Sequence, residues 1–302
     1  MTELCGLTLS GPVLNGSGTF DAIAAHRTFG DALWEAFPFD AFVTKTITVK
    51  PRQGNPPPRL WETAAGLINS IGLPNKGVDG FLADDLPRLR ELPVPLIVSV
   101  MGYGPAELAA LVRAVAPRDE VAALELNVSC PNVESGLIMG SDPSETARAV
   151  EAVRPLTTKP VIVKLTPNAT EPAAVGAAAE AAGADALSLV NTFKGMALHP
   201  RTAEPWLGAG SGGVSGPGIR AIALEQVHTV AKRVEIPVVG MGGITTGVHA
   251  RDFLDAGAAA VAVGTENFRD PAAGTRIGRE LTAIRGRERG FSPLPAHSGH
   301  PD

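Results

Sequence analysis

Short runs rich in branched apolar residues recur along this chain, separated by longer stretches with polar and apolar positions at helical spacing. That alternation is the signature of repeated β-α units around a parallel sheet, whose strands are covered on both faces. Core strands are expected at Pro12 to Gly16, Ala41 to Lys45, Leu96 to Val100, Ala122 to Asn127, Val161 to Leu165, Ala186 to Asn191, Pro237 to Gly240 and Ala260 to Gly264. Eight such strands close a barrel, so the pattern predicts an α/β fold, a (β/α)8 TIM barrel.

Helices are predicted at Pro105 to Val115, Asp142 to Arg154, Glu171 to Gly183, Gly218 to Arg233 and Gly247 to Gly257. Ser141-Asp142-Pro143 and Thr170-Glu171-Pro172 place a polar cap and an early proline at two of their starts. Gly183 and Gly257 fall where helices should stop. The stretch from Lys50 to Gly80 is too rich in Gly, Pro and Asn for a helix and predicts a long lid loop after the second strand. A single domain is expected over residues 1–285, with residues 286–302 a polar, disordered tail.

Composition narrows the function. Hydrophobic residues make up 44 % of the 302-residue chain and charged ones 19 %, enough apolar material for a sizeable core. A net charge of −5 without a basic cluster argues against nucleic-acid binding. No apolar run reaches the length of a membrane span, and Met1-Thr2-Glu3-Leu4-Cys5 lacks the regions of a signal peptide. With only Cys5 and Cys130 present, no disulfide framework is implied, and a cytoplasmic protein is expected.

Barrels of this kind place their active site at the carboxyl ends of the strands. The residues there are Ser17, Lys45, Ser99, Asn127 with Cys130, Lys164, Asn191-Thr192, Gly242-Gly243 and Gly264-Thr265. They include no carboxylate pair and no metal-ligand spacing, so no metal is expected. In Glu125-Leu126-Asn127-Val128-Ser129-Cys130-Pro131-Asn132 an apolar strand runs into a thiol flanked by two amides. A lone cysteine is usually a small buried hydrophobe, but Asn127 and Asn132 would be costly neighbours in a core without polar partners. A planar, polar ligand would supply those partners. The glycine pairs suit a phosphate held by backbone N–H groups, with Ser215-Gly216 able to add donors; the plain alternative is tight turns. A lysine ending an apolar strand needs an anionic partner, unless it merely snorkels past the rim. An isoalloxazine ring would suit Lys164, and a substrate carboxylate Lys45.

Together with Val43-Thr44-Lys45-Thr46, Gly54-Asn55-Pro56-Pro57-Pro58-Arg59, Asn69-Ser70-Ile71-Gly72-Leu73-Pro74-Asn75 and Gly240-Met241-Gly242-Gly243-Ile244, these segments resemble class 1 dihydroorotate dehydrogenases to about residue 285. The resemblance implies a barrel carrying FMN that oxidises dihydroorotate to orotate in pyrimidine synthesis. It makes Cys130 the base that removes the C5 proton while C6 delivers hydride to the flavin. Lys45, Asn69, Ile71, Gly72, Leu73, Asn127, Asn132, Asn191 and Thr192 would contact the substrate. Ser17, Lys45, Ser99, Asn127, Lys164, Gly216, Gly242, Gly243, Gly264 and Thr265 would hold FMN.

The quinone-linked class is disfavoured, because it uses a serine base and a membrane-associating extension. Arg59-Leu60-Trp61-Glu62-Thr63, Gly195-Met196-Ala197 and Gly212-Gly213-Val214-Ser215-Gly216 look like the NAD-linked subtype more than the fumarate-linked one. That likeness implies a homodimer, or a heterotetramer with a subunit carrying FAD and a [2Fe–2S] cluster. Two cysteines cannot hold such a cluster on this chain. Gly208-Ala209-Gly210-Ser211-Gly212-Gly213 matches a dinucleotide fingerprint formally, but no strand leads into it, which predicts a flexible loop. His199 and the loop 133–140 depart from the NAD-linked pattern, and His199 is expected to be an ordinary surface residue. The rival readings are a dihydropyrimidine dehydrogenase-like flavoenzyme, a non-redox phosphate-binding barrel and an inactive flavin-binding subunit.

Overall fold

The computed structural model describes residues 1–129 and 139–290. Eight parallel strands form one sheet: β1 (Val13–Asn15), β2 (Phe42–Val43), β3 (Leu96–Val100), β4 (Val121–Asn127), β5 (Val161–Lys164), β6 (Ala186–Leu189), β7 (Val238–Met241) and β8 (Ala260–Val263). Their spatial order is β1-β8-β7-β6-β5-β4-β3-β2, and a parallel bridge between Leu14 and Ala41 joins β1 to β2 and closes the barrel. Each strand begins and ends within two residues of its predicted bounds. Around them lie α1 (Ala22–Phe29), α2 (Pro105–Val115), α3 (Pro143–Val153), α4 (Pro172–Ala181), α5 (Arg220–Ala231), α6 (Gly247–Asp255) and α7 (Ala273–Gly290).

Side-chain alternation along each strand sorts the apolar residues into two layers. Leu14, Val43, Ile97, Ala123, Ile162, Ala186, Val239, Ala260 and Ala262 fill the inside of the barrel. Val98, Leu124, Val163, Leu187 and Val261 point outward and pack against helix residues such as Leu108, Val112, Val150 and Phe253. Toward the carboxyl ends the inward positions turn polar. Ile97 is followed by Ser99, Ala123 by Glu125 and Asn127, Ile162 by Lys164, and Ala186 by Ser188, all nearly or fully buried. That switch in chemistry along one face places the site at the rim.

The opposite end is closed by a two-stranded hairpin, Thr2–Leu4 with Leu7–Leu9, which the apolar pattern did not reveal. Leu4 and Leu9 are 0 % and 1 % exposed and join the inner cluster. The turn puts Cys5 at φ 41° and Gly6 at φ 84°, the primed geometry that matches strand twist.

Several expectations need correction. The lid is not a single loop: Leu60–Thr63 and Gly66–Asn69 form a hairpin that pairs with Gly212–Ser215, which in turn pairs with Phe193–Gly195. Insertions after β2 and β6 thus build one antiparallel cap sheet. A short helix, Gly77–Gly80, ends the first insertion. The segment from Gly208 to Gly213 is ordered rather than flexible, since the Gly208 N–H donates to the Pro58 carbonyl at 2.9 Å and Gly212 enters the cap sheet. Nothing resembling a β-α-β unit surrounds it.

Helix ends mostly follow the sequence signals. Asp142 accepts from the Glu145 N–H at 2.9 Å, whereas Glu171 makes no capping bond and its helix relies on Pro172 alone. Gly183 and Gly257 adopt φ 100° and 110° just past their helices. The helix α1, capped by Asp21, was not anticipated. The last helix, α7, runs to Gly290, so residues 286–290 extend the fold rather than the predicted tail. Residues 291–302 lie outside the described residues.

Candidate active site

A chain of hydroxyls and amides ties the carboxyl ends of four neighbouring strands together. Ser17 Oγ donates to the Thr44 carbonyl at 2.8 Å and lies 3.1 Å from Thr46 Oγ1, which lies 3.0 Å from Ser99 Oγ. Asn127 Nδ2 reaches the same Thr46 hydroxyl at 3.4 Å. Ser99, Thr46 and Asn127 are 0 %, 2 % and 7 % exposed, so this network is a preorganised wall rather than a solvated surface. Sequence reasoning named Ser17, Ser99 and Asn127 but missed Thr46, their common partner.

Lys45 and Lys164 stand beside that wall. Lys164 is 6 % exposed and, among the described residues, its side chain makes no ion pair or hydrogen bond. Burial pulls the Lys45 ammonium below the ordinary lysine range, and the charge of Lys164 adds to the effect. A buried Lys164 and a half-buried Lys45 that repel each other, with no counter-ion among the described residues, suit an anion. Gly18 allows this arrangement, because at φ 73° its missing Cβ would stand 2.7 Å from Lys45 Cδ.

The glycine pairs lie across the barrel mouth. Gly243, at φ 72°, packs so tightly that an added Cβ would come within 2.8 Å of Arg220 Cβ and of the Gly216 carbonyl oxygen. At Gly264 the nearest atom to such a Cβ is the Thr19 methyl at 3.9 Å, so there the space is open. Among the described residues, the N–H groups of Gly243 and Gly264 donate to no acceptor. Thr265 Oγ1 donates to Ser215 Oγ at 2.9 Å, joining the ends of β8 and the cap. Two free N–H groups, the one at Gly264 beside open space, with hydroxyls nearby, suit a phosphate. A flat ring with an anionic edge at the lysines and a phosphate tail at the glycines fits these residues.

The cap supplies the facing wall. Asn69 Nδ2 donates to the Gly213 carbonyl at 3.2 Å, holding that amide within the cap sheet. Ile71 accepts from the Asn55 N–H at 3.0 Å, Gly72 accepts from Arg52 Nε at 3.2 Å, and Leu73 takes φ 52°, so this part of the lid is pinned by its own loop. Asn191 Nδ2 donates to Ser129 Oγ at 2.9 Å, while its Oδ1 accepts from the Thr192 N–H at 2.8 Å. Asn168 Nδ2 donates to the Thr192 carbonyl at 3.1 Å, and Oδ1 accepts from the Lys194 N–H at 3.0 Å. Cys130, Asn132 and residues 133–138 of the following loop lie outside the described residues.

Ser129 and Asn168 were also missed as site residues. Ser129 precedes Cys130 in the chain and Asn168 is one hydrogen bond from Thr192, and their short polar side chains offered no separate signal. His199 is half-buried, stacked on Trp206 with ring centroids 5.2 Å apart and accepting at Nδ1 from the N–H groups of Arg201 and Thr202. It braces a turn of the cap and is more enclosed than the surface residue that was expected.

Comparison with known proteins agrees with this geometry. The family model described as dihydroorotate dehydrogenase matches residues 1–284. A protein of Geobacter sulfurreducens named dihydroorotate dehydrogenase B (NAD(+)), catalytic subunit, is 45 % identical over 283 residues, covering 92 % of this chain and 90 % of that one. A Solibacter usitatus protein whose name is putative dihydroorotate dehydrogenase A (fumarate) is also 45 % identical, over 95 % of this chain and 93 % of its own. Among solved structures, a dihydroorotate dehydrogenase of Eimeria tenella in complex with ferulenol superposes with a TM-score of 0.76 at 22 % identity, covering 96 % of this chain and 85 % of that one, which supports the barrel fold. With a family match along the whole barrel and relatives sharing nearly half of its residues, the chain belongs to the dihydroorotate dehydrogenase family.

Proposed function

We propose that this chain oxidises dihydroorotate to orotate in pyrimidine synthesis, in the cytoplasm, with FMN as its resident cofactor. The carrying observation is the buried Lys164 and half-buried Lys45, without counter-ions among the described residues, beside a preorganised amide and hydroxyl wall. FMN supplies a hydride acceptor at the ring and a phosphate that anchors it. Lys164 would hold the pyrimidine edge of the ring, with Ser17, Lys45, Ser99 and Asn127 as further contacts. Gly216, Gly242, Gly243, Gly264 and Thr265 would hold the phosphate.

Cys130, directly following Ser129 beyond the end of β4, takes the C5 proton of dihydroorotate as its C6–H bond breaks with the electron pair. A C5–C6 double bond results, so two electrons and a proton leave the ring at C6 and one proton at C5. The thiol serves this step when its surroundings favour the thiolate near neutral pH. Asn69, Asn127, Asn132, Asn191 and Thr192 match the alternating donors and acceptors of the pyrimidine ring, with Ile71, Gly72 and Leu73 closing over it. A ring lacking those groups would leave buried amides unpaired. Lys45 draws the substrate carboxylate.

NAD is the acceptor we favour, reached through a partner subunit with FAD and a [2Fe–2S] cluster, in an assembly with two copies of this chain. Sequence likeness to relatives named as NAD-linked catalytic subunits supports that reading. Fumarate is the second reading, favoured by the equally similar Solibacter usitatus relative. The purified protein should be yellow, and anaerobic dihydroorotate should bleach its flavin absorption. A colourless protein that FMN cannot reconstitute would sink the proposal. Reoxidation by fumarate alone would select the second acceptor.

A further inference from the structure

Glu125 lies inside the barrel on β4, one inward position deeper than Asn127, and is 3 % exposed. Its Oε2 accepts from Ser188 Oγ at 3.0 Å, and its Oε1 has no hydrogen-bond partner among the described residues. A carboxyl oxygen stripped of water without a donor is costly, so a fold that keeps one needs a reason. The register supplies a neighbour. On β5, Lys164 is aligned with Asn127 of β4 on one side and with Ser188 of β6 on the other. Glu125 is aligned with Ile162, two positions before Lys164 on the same inward face. Glu125 therefore lies one inward layer below Lys164, and Ser188 touches the Glu125 carboxyl while standing in register with Lys164.

This inference rests on the FMN reading above. We infer that Glu125 is a positioning residue for Lys164, its free Oε1 competing with the pyrimidine edge of the flavin for the Lys164 ammonium. Ser188 fixes the carboxyl so that only one oxygen is available. Were FMN bound, Glu125 would draw the Lys164 ammonium away from an oxidised, neutral ring, and a reduced ring, whose edge gains negative charge, would draw it back. Glu125 thereby sets how strongly this chain favours the reduced cofactor.

The test is the midpoint potential of bound FMN, measured anaerobically at saturating FMN. Glu125→Gln removes the competing acceptor at nearly constant shape, so the reduced-to-oxidised ratio at a given potential should rise about tenfold, or about 30 mV for a two-electron couple. In a Lys164→Gln background the same change should have no effect, since there is no ammonium left to share. Glu125→Met, apolar and of similar length, should behave like Glu125→Gln if the amide variant fails to fold. An unchanged potential in both Glu125 variants, or an equal shift with and without Lys164, would overturn the inference while leaving the FMN reading intact. A wild-type protein that binds no FMN would overturn both.

Discussion

Asn191 Nδ2 donates to Ser129 Oγ at 2.9 Å, so the residue after β6 is fixed by the residue that precedes Cys130 in the chain. Asn127 Oδ1 stands behind this contact, 3.5 Å from the same Nδ2 and 3.3 Å from the Ser129 N–H. The amide that we assign to the substrate is therefore oriented by the segment that leads to the proposed base, Cys130.

Ser129→Ala removes the nearer acceptor and leaves Asn191 with the longer contact to Asn127. One hydrogen bond of this kind is worth about 1 kcal/mol, so KM for dihydroorotate should rise about five- to tenfold, with FMN affinity unchanged. Steady-state kinetics and FMN titration measure the two quantities. Ser129→Thr keeps the oxygen and should restore most of the loss. Equal KM values for wild type and Ser129→Ala would remove Ser129 from this role.

The two cysteines should separate cleanly by reactivity. Burial pushes the Cys5 thiol up to about 12, with the Asp185 charge adding to the effect, so near neutral pH it holds almost no thiolate. Iodoacetamide should label the native protein at Cys130 alone, with orotate protecting it. Cys130→Ala protein should take no label until it is unfolded. The same variant should keep its FMN while losing at least about a hundredfold in turnover, the scale of a general base. Native labelling of Cys5, read by peptide mass spectrometry, would contradict the first part; unimpaired turnover would contradict the second.

Every barrel strand was legible in the sequence, because a strand buried on both faces reads as an unbroken apolar run. The switch from Ile162 to Lys164 or Ala123 to Asn127 also marked the rim, since a charge or amide at the end of such a run is costly unless a ligand meets it. What escaped had no such run behind it. Thr2–Leu4 and Leu7–Leu9 are only three residues each, and their Cys5-Gly6 turn lacks the usual Asn-Gly or Asp-Gly signal. The cap sheet pairs Asn69 with Gly213, residues separated by most of the barrel, and its glycine-rich strands carry little strand propensity. Thr46 and Ser129 show their roles only as hydrogen-bond partners, which no spacing encodes. Glu125 read as part of an apolar strand, and its unpartnered oxygen exists only in the folded barrel.

The amino-terminal hairpin should matter for stability and not for chemistry. Leu4 is 0 % exposed at the end of the barrel opposite the lysines, packed with Leu9 and the small inward alanines. Leu4→Ala should destabilise the protein by about 2–5 kcal/mol, the range for a buried leucine that leaves a cavity. Urea unfolding gives the loss directly, and KM for dihydroorotate should stay at the wild-type value. A variant as stable as wild type would mean that the hairpin is not a structural plug.

Lys45 should be a residue held against stability for the sake of its ligand. Its folded-state pKa is lowered from 10.5, first by burial and then by the Lys164 charge. Between that lowered value and 10.5 the unfolded chain binds more protons than the folded one, so stability of the flavin-free protein rises with pH across this window. Below the lowered value the penalty is present in full, and above 10.5 it has vanished because neither state carries the charge. Lys45→Met keeps the stem that packs over Gly18 and removes the ammonium. In flavin-free protein it should raise the melting temperature near neutral pH, with a gain that shrinks as pH approaches 10.5. Saturating FMN should reverse the order, because the anionic ligand stabilises only the chain that carries the charge. Thermal melts at both ends of the pH window, with and without FMN, give the four comparisons. A flavin-free Lys45→Met protein that melts below wild type near neutral pH would show that the ammonium already has its partner within the chain.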